Sequence, residues 1–351
     1  MVDLSKETLP FVKGEAPRNY TICKDGDVAF ADASEDTNDV AKAIEFINCN
    51  NEDAICGLHS IHGRDKTKST IVGYKGYAFA SFAFHKQIRR ITQGTKIYSI
   101  STKNFNETYV GVPSIEEQTK IARLLFLIDE RISTQNKIID NLESLIKGLN
   151  NEFHNNIKGK STAFSEFGEA YSGLSGKNSD SFGSGKSYIT YMNVYKNHHI
   201  DNNQHGLVTI SNDEKQSRVS YGDILFTLSS ETPKEVGIGS IYLGNDDELY
   251  LNSFCFGVHI RNNHDIYPPY MAYFVSCQYF RKAIYPLAQG STRFNLQKGD
   301  FMKTPFVIPI LKQQKQIAYI LDTLSNKAII EKRRLVLFQN EKLYLLQQMF
   351  I

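Results

Sequence analysis

Three short stretches of the sequence combine residue types and spacings that carry chemistry in other proteins. Gly185-Lys186-Ser187 has the ending of a phosphate-binding loop, in which backbone N–H groups cradle phosphates and a lysine reaches them. The first glycine of that pattern belongs at position 180, which holds Asp180, so no nucleotide site is expected. Cys56, His59 and His62 have the spacing of zinc ligands, but no fourth ligand stands at a credible distance. The histidines read instead as loop residues facing solvent or a phosphate. Asp246-Asp247-Glu248 suggests a metal-dependent nuclease, yet no lysine stands two residues on, so a solvated turn is expected.

Tyr267-Pro268-Pro269-Tyr270 is similar to the N-P-P-Y motif of amino-methyltransferases, with Tyr where the amine-binding residue belongs. No glycine-rich strand–turn–helix for S-adenosylmethionine accompanies it, and the two prolines predict a turn entering a helix. A Ser/His/Asp set cannot be assigned from spacing, because such sets are assembled in space. The chain reads as a scaffold and recognition element that borrows its catalysis, with no metal or cofactor of its own.

Polyanion contacts are the remaining chemistry. With 40 Lys and Arg against 38 Asp and Glu, the net charge of +2 gives little global attraction, so any nucleic-acid binding must come from local patches. Loops rich in Ser, Thr, Gly and basic residues approach phosphates through backbone N–H groups and reach base edges with longer side chains. In the C-terminal half the candidates are Lys177, Gly183, Gly185 and Lys186, then Ser229 and Ser230, and finally Thr292 and Arg293. Arg293, on a short loop, is the best single base-reader, since an arginine binds a guanine edge at two points. In the N-terminal half Arg64, Lys66, Lys68 and Lys96 have comparable settings.

Two long helices must position these loops. From Pro113 to Phe153, apolar residues fall at Ile121, Leu125, Ile128, Ile132, Ile139, Leu142, Ile146, Leu149 and Phe153, the seam of a coiled coil broken only at Gln135. About 40 residues make a rod of roughly 60 Å. Ser114 and Glu117 form a capping box at its start. The signal returns from Pro309 to Phe350. Gln118, Ile121 and Leu125 match Gln314, Ile317 and Leu321 at an offset of 196, and Leu324 and Leu335 continue the second apolar side. Near the end Leu149 and Phe153 match Leu346 and Phe350 at 197, so an irregularity is expected in the second seam. Each stripe needs cover from water, and the simplest arrangement packs the helices together.

The repeat extends beyond the helices. Gln93-Gly94 through Pro113 aligns without gaps with Gln289-Gly290 through Pro309, Gly26-Asp27-Val28 with Gly222-Asp223-Ile224, and Ser34-Glu35 with Ser230-Glu231. We read two copies of one unit. In the second, Tyr188 to Val194, Gly206 to Ile210, Asp223 to Leu228, Gly239 to Leu243 and Phe254 to Ile260 read as strands, and Pro269 to Tyr285 as a helix, like Gly76 to Ile91 in the first. Tyr171 to Ser187 reads as a mobile loop. The first copy is shorter in its opening half, with 25 residues before Gly26. The expected fold class is α+β, with recognition domains at 1–113 and 157–309 and spacer helices at 114–156 and 310–351.

At 351 residues the chain is long enough for two cores, and no apolar run approaches the ~20 residues of a membrane span. Five scattered cysteines without a Cys-x-x-Cys pair argue against a disulfide framework and fit a reducing cytoplasm.

The run Val112-Pro113-Ser114-Ile115-Glu116-Glu117-Gln118, then Ile121-Ala122, Leu125, Ile128-Asp129 and Ile132, closing with Leu145-Ile146-Lys147-Gly148-Leu149, resembles the central region of specificity subunits of type I restriction-modification systems. The two-copy plan resembles them as well. The resemblance implies two target-recognition domains, each reading half of a bipartite, asymmetric DNA target. It implies two helices packed as an antiparallel coiled coil that sets their spacing and docks two modification subunits. It further implies that those partners carry S-adenosylmethionine and adenine methylation, and that restriction subunits supply ATP- and Mg-dependent translocation and cleavage. The short first copy leaves open a second expectation, an assembly scaffold or silent cassette that binds modification subunits without full DNA reading.

Overall fold

Strand segments followed by helices, the order read from the sequence, form twice. The computed structural model describes all residues except 8, 14–19, 50–52, 156, 212, 262–264 and 351. The chain divides into two units, Met1–Ile139 with Glu331–Ile351, and Asp140–Ile330.

The first unit contains β1 (Val2–Asp3), β2 (Val28–Ala31), β3 (Ala33–Ser34), β4 (Ala43–Ile47), β5 (Ser60–Gly63), α1 (Lys75–Phe79), α2 (Phe82–Ile91), β6 (Tyr98–Ser99), α3 (Thr102–Phe105) and the first part of α4 (Ile115–Asn155). Its main sheet has the order β1-β4-β2-β5, with β1 parallel to β4 and the other neighbours antiparallel. Alternation along β2 sends Val28 and Phe30 into a core shared with Phe84, Ile88 and Ile100.

The second unit contains the rest of α4, then β7 (Lys160–Ala163), α5 (Phe164–Phe167), β8 (Gly168–Ser172), β9 (Phe182–Ile189), α6 (Tyr191–Lys196), β10 (His205–Val208), β11 (Ile224–Thr227), β12 (Ser229–Ser230), β13 (Gly239–Ile241), β14 (Tyr250–Leu251) and β15 (Cys255–Ile260). The helices α7 (Pro268–Phe274) and α8 (Gln278–Ile284) follow, then β16 (Ala288–Gln289), β17 (Phe294–Leu296), α9 (Lys298–Lys303), β18 (Pro305–Ile308) and most of α10 (Leu311–Met349). The main sheet is β13-β11-β15-β8, all antiparallel. A second sheet, β10-β9-β14, stands beside it. The core is dominated by phenylalanine: Phe226 lies 4.8 Å from Phe301, and Phe280 lies 5.0 Å from Phe306, ring centre to ring centre.

Three expectations need correction. The strand read from Tyr188 to Val194 stops at Ile189, because Thr190 turns and its hydroxyl caps α6 by accepting from the Asn193 N–H at 3.2 Å. The Gly/Ser stretch is not a loop throughout, since β9 pairs with β10 from Phe182 to Ile189. Each aromatic helix is two helices. Ser81 and its counterpart Cys277 are extended (ψ 154° and 156°), and their side chains cap α2 and α8 by accepting from Phe84 and Phe280.

The long helices pack antiparallel within the first unit: Gln135 of α4 meets Glu331 of α10, while Asp129, earlier on α4, meets Lys342, later on α10. The Ser114–Glu117 capping box forms in both directions. Of the seam residues, Gln118, Leu125, Ile128, Gln314, Ile317 and Leu321 are buried, and Ile121, Ile132, Leu142, Leu149, Leu324 and Leu335 are half-buried. The expected irregularity is absent. Burial keeps the offset of 196, so Leu346 and Phe350 take the places of Asn150 and His154, not of Leu149 and Phe153. In the second unit His154 stacks on Tyr270, ring centres 5.5 Å apart; in the first, Phe350 packs on Tyr74, the counterpart of Tyr270, at 5.7 Å. The two copies differ in residue type at a shared position, which matching apolar letters misread as a one-residue gain.

Candidate nucleic-acid interface

In each unit one glutamine ties the foot of a long helix to the loop before the aromatic helices. Gln118 donates to the carbonyls of Ser69 (3.0 Å) and Pro113 (2.9 Å) and accepts from the Ile71 N–H (2.9 Å). Gln314 does the same with Asp265, Pro309 and Tyr267 at 2.6, 2.8 and 2.8 Å, each partner 196 residues on. Sequence placed both glutamines on the helix interface, and the structure gives them this backbone clasp. Tyr267-Pro268-Pro269-Tyr270 is the turn into α7, with Tyr270 buried.

The Gly-Asp turns also recur. Gly26 and Gly222 have φ of +82° and +87°, and Asp27 and Asp223 accept from the Lys24 and Ser220 N–H groups, both at 2.8 Å. Beyond these turns the units diverge. Asp223 accepts the Tyr171 hydroxyl (2.8 Å) and contacts His259 Nδ1 (2.8 Å), whereas Asp27 holds His62 (3.0 Å) and both Nε and Nη2 of Arg64 (2.8 and 2.6 Å).

The second unit brings Ser229, Ser230 and Arg293 to one groove of about 460 Å³, lined also by Tyr191, Tyr195 and Phe254. The guanidinium of Arg293 lies 5.2 Å over the ring of Phe254, which is half exposed. Tyr191 and Tyr195 stack with ring centres 6.1 Å apart. The Glu235 carboxylate accepts the hydroxyls of Tyr195 and Ser230, both at 2.8 Å, which hold it below the usual carboxylate range. The loop turns at Gly290, φ +144°, where a Cβ would stand 2.1 Å from the Arg293 carbonyl. Only glycine permits this close approach. Thr292 is exposed beside Arg293. Ser229 and Ser230 are buried, so they shape the floor of the groove. Sequence reasoning missed Tyr191, Tyr195, Phe254 and Glu235, although the repeated Ser-Glu pair at 34–35 and 230–231 marked the place.

The other candidates lie elsewhere. The side chain of Lys177 is covered against Glu214 (2.5 Å) and the Thr209 carbonyl (2.7 Å), and its ammonium helps hold the Glu214 carboxyl down to about 2. Lys186 pairs with Glu248 at 2.5 Å, so the acidic run 246–248 includes an ion-pair partner and is not merely a solvated turn. Gly183 and Gly185 have φ of +104° and +103° within β9, and a Cβ on Gly185 would meet the Val208 carbonyl at 2.5 Å. In the first unit Arg64 is closed on Asp27. Lys66 and Lys68 are exposed on a loop pinned by Asp65, which accepts from the Thr67 and Thr70 N–H groups. Lys96 is exposed, and at the place of Arg293 stands Ile97.

The family model for the type I restriction modification DNA specificity domain matches residues 6–144 and 166–337. The chain belongs to this family. A curated relative, the type I restriction enzyme MjaVIII specificity subunit of Methanocaldococcus jannaschii, is 27% identical over 280 residues, or 73% of this chain and 65% of the relative. The chain thus spans just under two thirds of that relative's length. A solved chain from work on complex assembly and conformational transition of the type I R-M system aligns with a TM-score of 0.62 at 14% identity, covering 94% of this chain and 83% of that one. The type I restriction-modification system S subunit from M. genitalium aligns at 0.52 with 15% identity, covering 95% and 84%. At those identities the likeness is of fold.

Each unit of this specificity-domain family member also has an apolar groove beside a long helix. In the second unit a groove of about 660 Å³ is lined by Phe153, Ile157, Ile317, Tyr319 and Ile320. In the first, one of about 400 Å³ is lined by Met1, Ile47, Ile71, Ala122 and Phe126. No helix among the described residues is long and apolar enough to cross a membrane.

Proposed function

We propose that this chain is the DNA-reading subunit of a type I restriction-modification complex. Each unit reads half of a bipartite, asymmetric target, and the packed helices set the separation. The Arg293–Phe254 groove carries this reading: it offers a guanidinium over an aromatic face, stacked tyrosines and a glycine-turned loop, which suit a base edge and its flanking backbone. The apolar grooves beside α4 and α10 suit two modification subunits, which bring S-adenosylmethionine and adenine methylation. Restriction subunits then add ATP- and Mg-dependent cleavage, and this chain itself is non-catalytic and cytoplasmic. With a net charge of only +2, the isolated chain binds DNA weakly and the assembled complex tightly.

Co-expression with the modification subunit followed by genome-wide mapping of methylated adenines tests the reading. A bipartite motif is expected, and Arg293→Ala relaxes one half of it. A motif indifferent to Arg293→Ala removes that residue from the reading, and adenines methylated without any shared motif reject specific recognition.

The engagement of Arg64 by Asp27, and Ile97 in place of Arg293, favour a second reading for the first unit. It serves as an assembly scaffold, and its half of the motif is degenerate. A sharply defined second half-site excludes this.

A further inference from the structure

His59 and His62 were expected to face solvent or a phosphate together, but the fold separates them. His59 points outward with its side chain 91% exposed, while Cys23 comes in from the segment before β2. Cys23 is buried, and its N–H donates to the Ala54 carbonyl at 2.8 Å, so its segment lies alongside that of Cys56. We infer that Cys23, Cys56 and His62 form a binding site for a zinc-class divalent cation in the first unit.

The geometry suits that ion. The two sulfurs are 3.7 Å apart, and thiolates bound tetrahedrally at about 2.3 Å stand about 3.8 Å apart. Both sulfurs and a ring nitrogen of His62 lie within 4.8 Å of one another. A disulfide needs sulfurs at about 2.05 Å. His62 Nε2 is 3.0 Å from Asp27, which Arg64 and the Lys24 N–H hold in place. With Nε2–H donated to that carboxylate, Nδ1 carries the lone pair a cation takes, the arrangement that orients ligating histidines. Two thiolates, a neutral imidazole and a divalent ion sum to zero charge. The two thiol protons leave to solvent, and water completes the coordination. Thiolate and imidazole donors select zinc over the harder cations.

The comparison between units gives the site a purpose. By strand pairing the counterparts of Cys23, Cys56 and His62 are Val219, Leu251 and Gly257, and around Val219 and Leu251 the second unit builds an apolar cluster with Tyr171 of β8, Leu225 and Leu249. Among the described residues β5 is the edge of its sheet, whereas β15 in the second unit pairs further with β8. Among the described residues, the cluster around Cys23 is built on four buried apolar residues, Leu4, Cys23, Phe46 and Ala54. A small core of this kind gains most from a metal staple.

The test uses the full-length, tag-free, reduced chain titrated with Co²⁺ and then Zn²⁺. One equivalent of Co²⁺ is expected to give a thiolate charge-transfer band and tetrahedral d–d bands, both removed by Zn²⁺, and Zn²⁺ raises Tm. Cys23→Ser and Cys56→Ser lose the band and the Tm shift, His62→Gln weakens binding at least about tenfold, by the loss of one ligand, and Cys277→Ser in the other unit retains all three. Absence of a thiolate band in the wild-type chain overturns the site, and so does a band that persists in the Cys23→Ser/Cys56→Ser chain or a Cys23–Cys56 disulfide formed in reducing buffer. The wild-type titration decides even where a serine variant fails to fold.

Discussion

Gln135 Nε2 donates to the Glu331 carboxylate at 2.6 Å, and these two residues are 196 apart, the offset that relates the two copies of the repeat. When two copies of one helix pack antiparallel, a position meets its own counterpart at a single level. Here that level is polar and buried, with Arg334 also reaching Glu331 at 3.0 Å. A polar contact in an apolar seam favours one register, because a slip carries the buried Gln135 amide away from Glu331 and sets it against apolar side chains.

Gln135→Leu is therefore expected to destabilise the first unit by about 1–3 kcal/mol, the cost of a buried carboxylate losing one of its donors. Gln135→Leu/Glu331→Leu recovers most of that loss, since an apolar pair suits the seam. Denaturant midpoints for the single and double variants test the coupling, and strictly additive losses would refute it.

The glutamine clasps give a second expectation. Gln118→Ala and Gln314→Ala each remove three hydrogen bonds to backbone and lower stability by about 2–3 kcal/mol. Gln118→Glu is worse, because a carboxylate then faces the carbonyls of Ser69 and Pro113. Amide exchange at Ile71 and Tyr267 reports which clasp has opened.

Arg293→Ala lowers discrimination at one half-site by about 1–3 kcal/mol, and Arg293→Lys recovers little, because a point charge lacks the two-point fork. Gly290→Ala, which drives a Cβ into the Arg293 carbonyl, reproduces much of the loss with the guanidinium present. Competition binding of the assembled complex with single-base variants of the target measures both.

His154 gives a pH dependence. It is buried, its Nδ1 lies 2.7 Å from the Asn150 carbonyl and its Nε2 3.0 Å from the Tyr270 hydroxyl. Burial pushes its pKa below 6.5, so the folded chain keeps the ring neutral while the unfolded chain protonates it near 6.5. The unfolded state then binds more protons, and the stability from His154 is complete above that pH and falls as pH drops below it. Unfolding of His154→Gln is expected to show a shallower loss between pH 6.5 and 5 than wild type.

The helices and the duplication were legible because both are local or periodic signals. A seven-residue apolar rhythm needs no partner to be recognised, and Gln118 and Gln314 announced themselves by recurring at one offset. The groove was only half legible. Arg293 and the serines stood out by type, but Phe254 reaches them from the turn before β15 and Tyr195 from α6, both distant from Arg293 in sequence.

Sequence alone determined the two-copy plan, the rods and the turn glycines, since each follows from periodicity or from a backbone conformation that one residue type tolerates. Tertiary structure decided the pairings. Gln135 in the seam gave no sign that Glu331 would face it, and the Cys56–His59–His62 spacing drew attention to the wrong trio, because His59 sits in the turn before β5 with its side chain turned to solvent. Cys23 reaches Cys56 only because its segment pairs beside Ala54 and Ile55, and Arg64 is tied up only because the buried Asp27 lies within its reach. Long-range contacts of this kind depend on which strands become neighbours, and no local pattern encodes that.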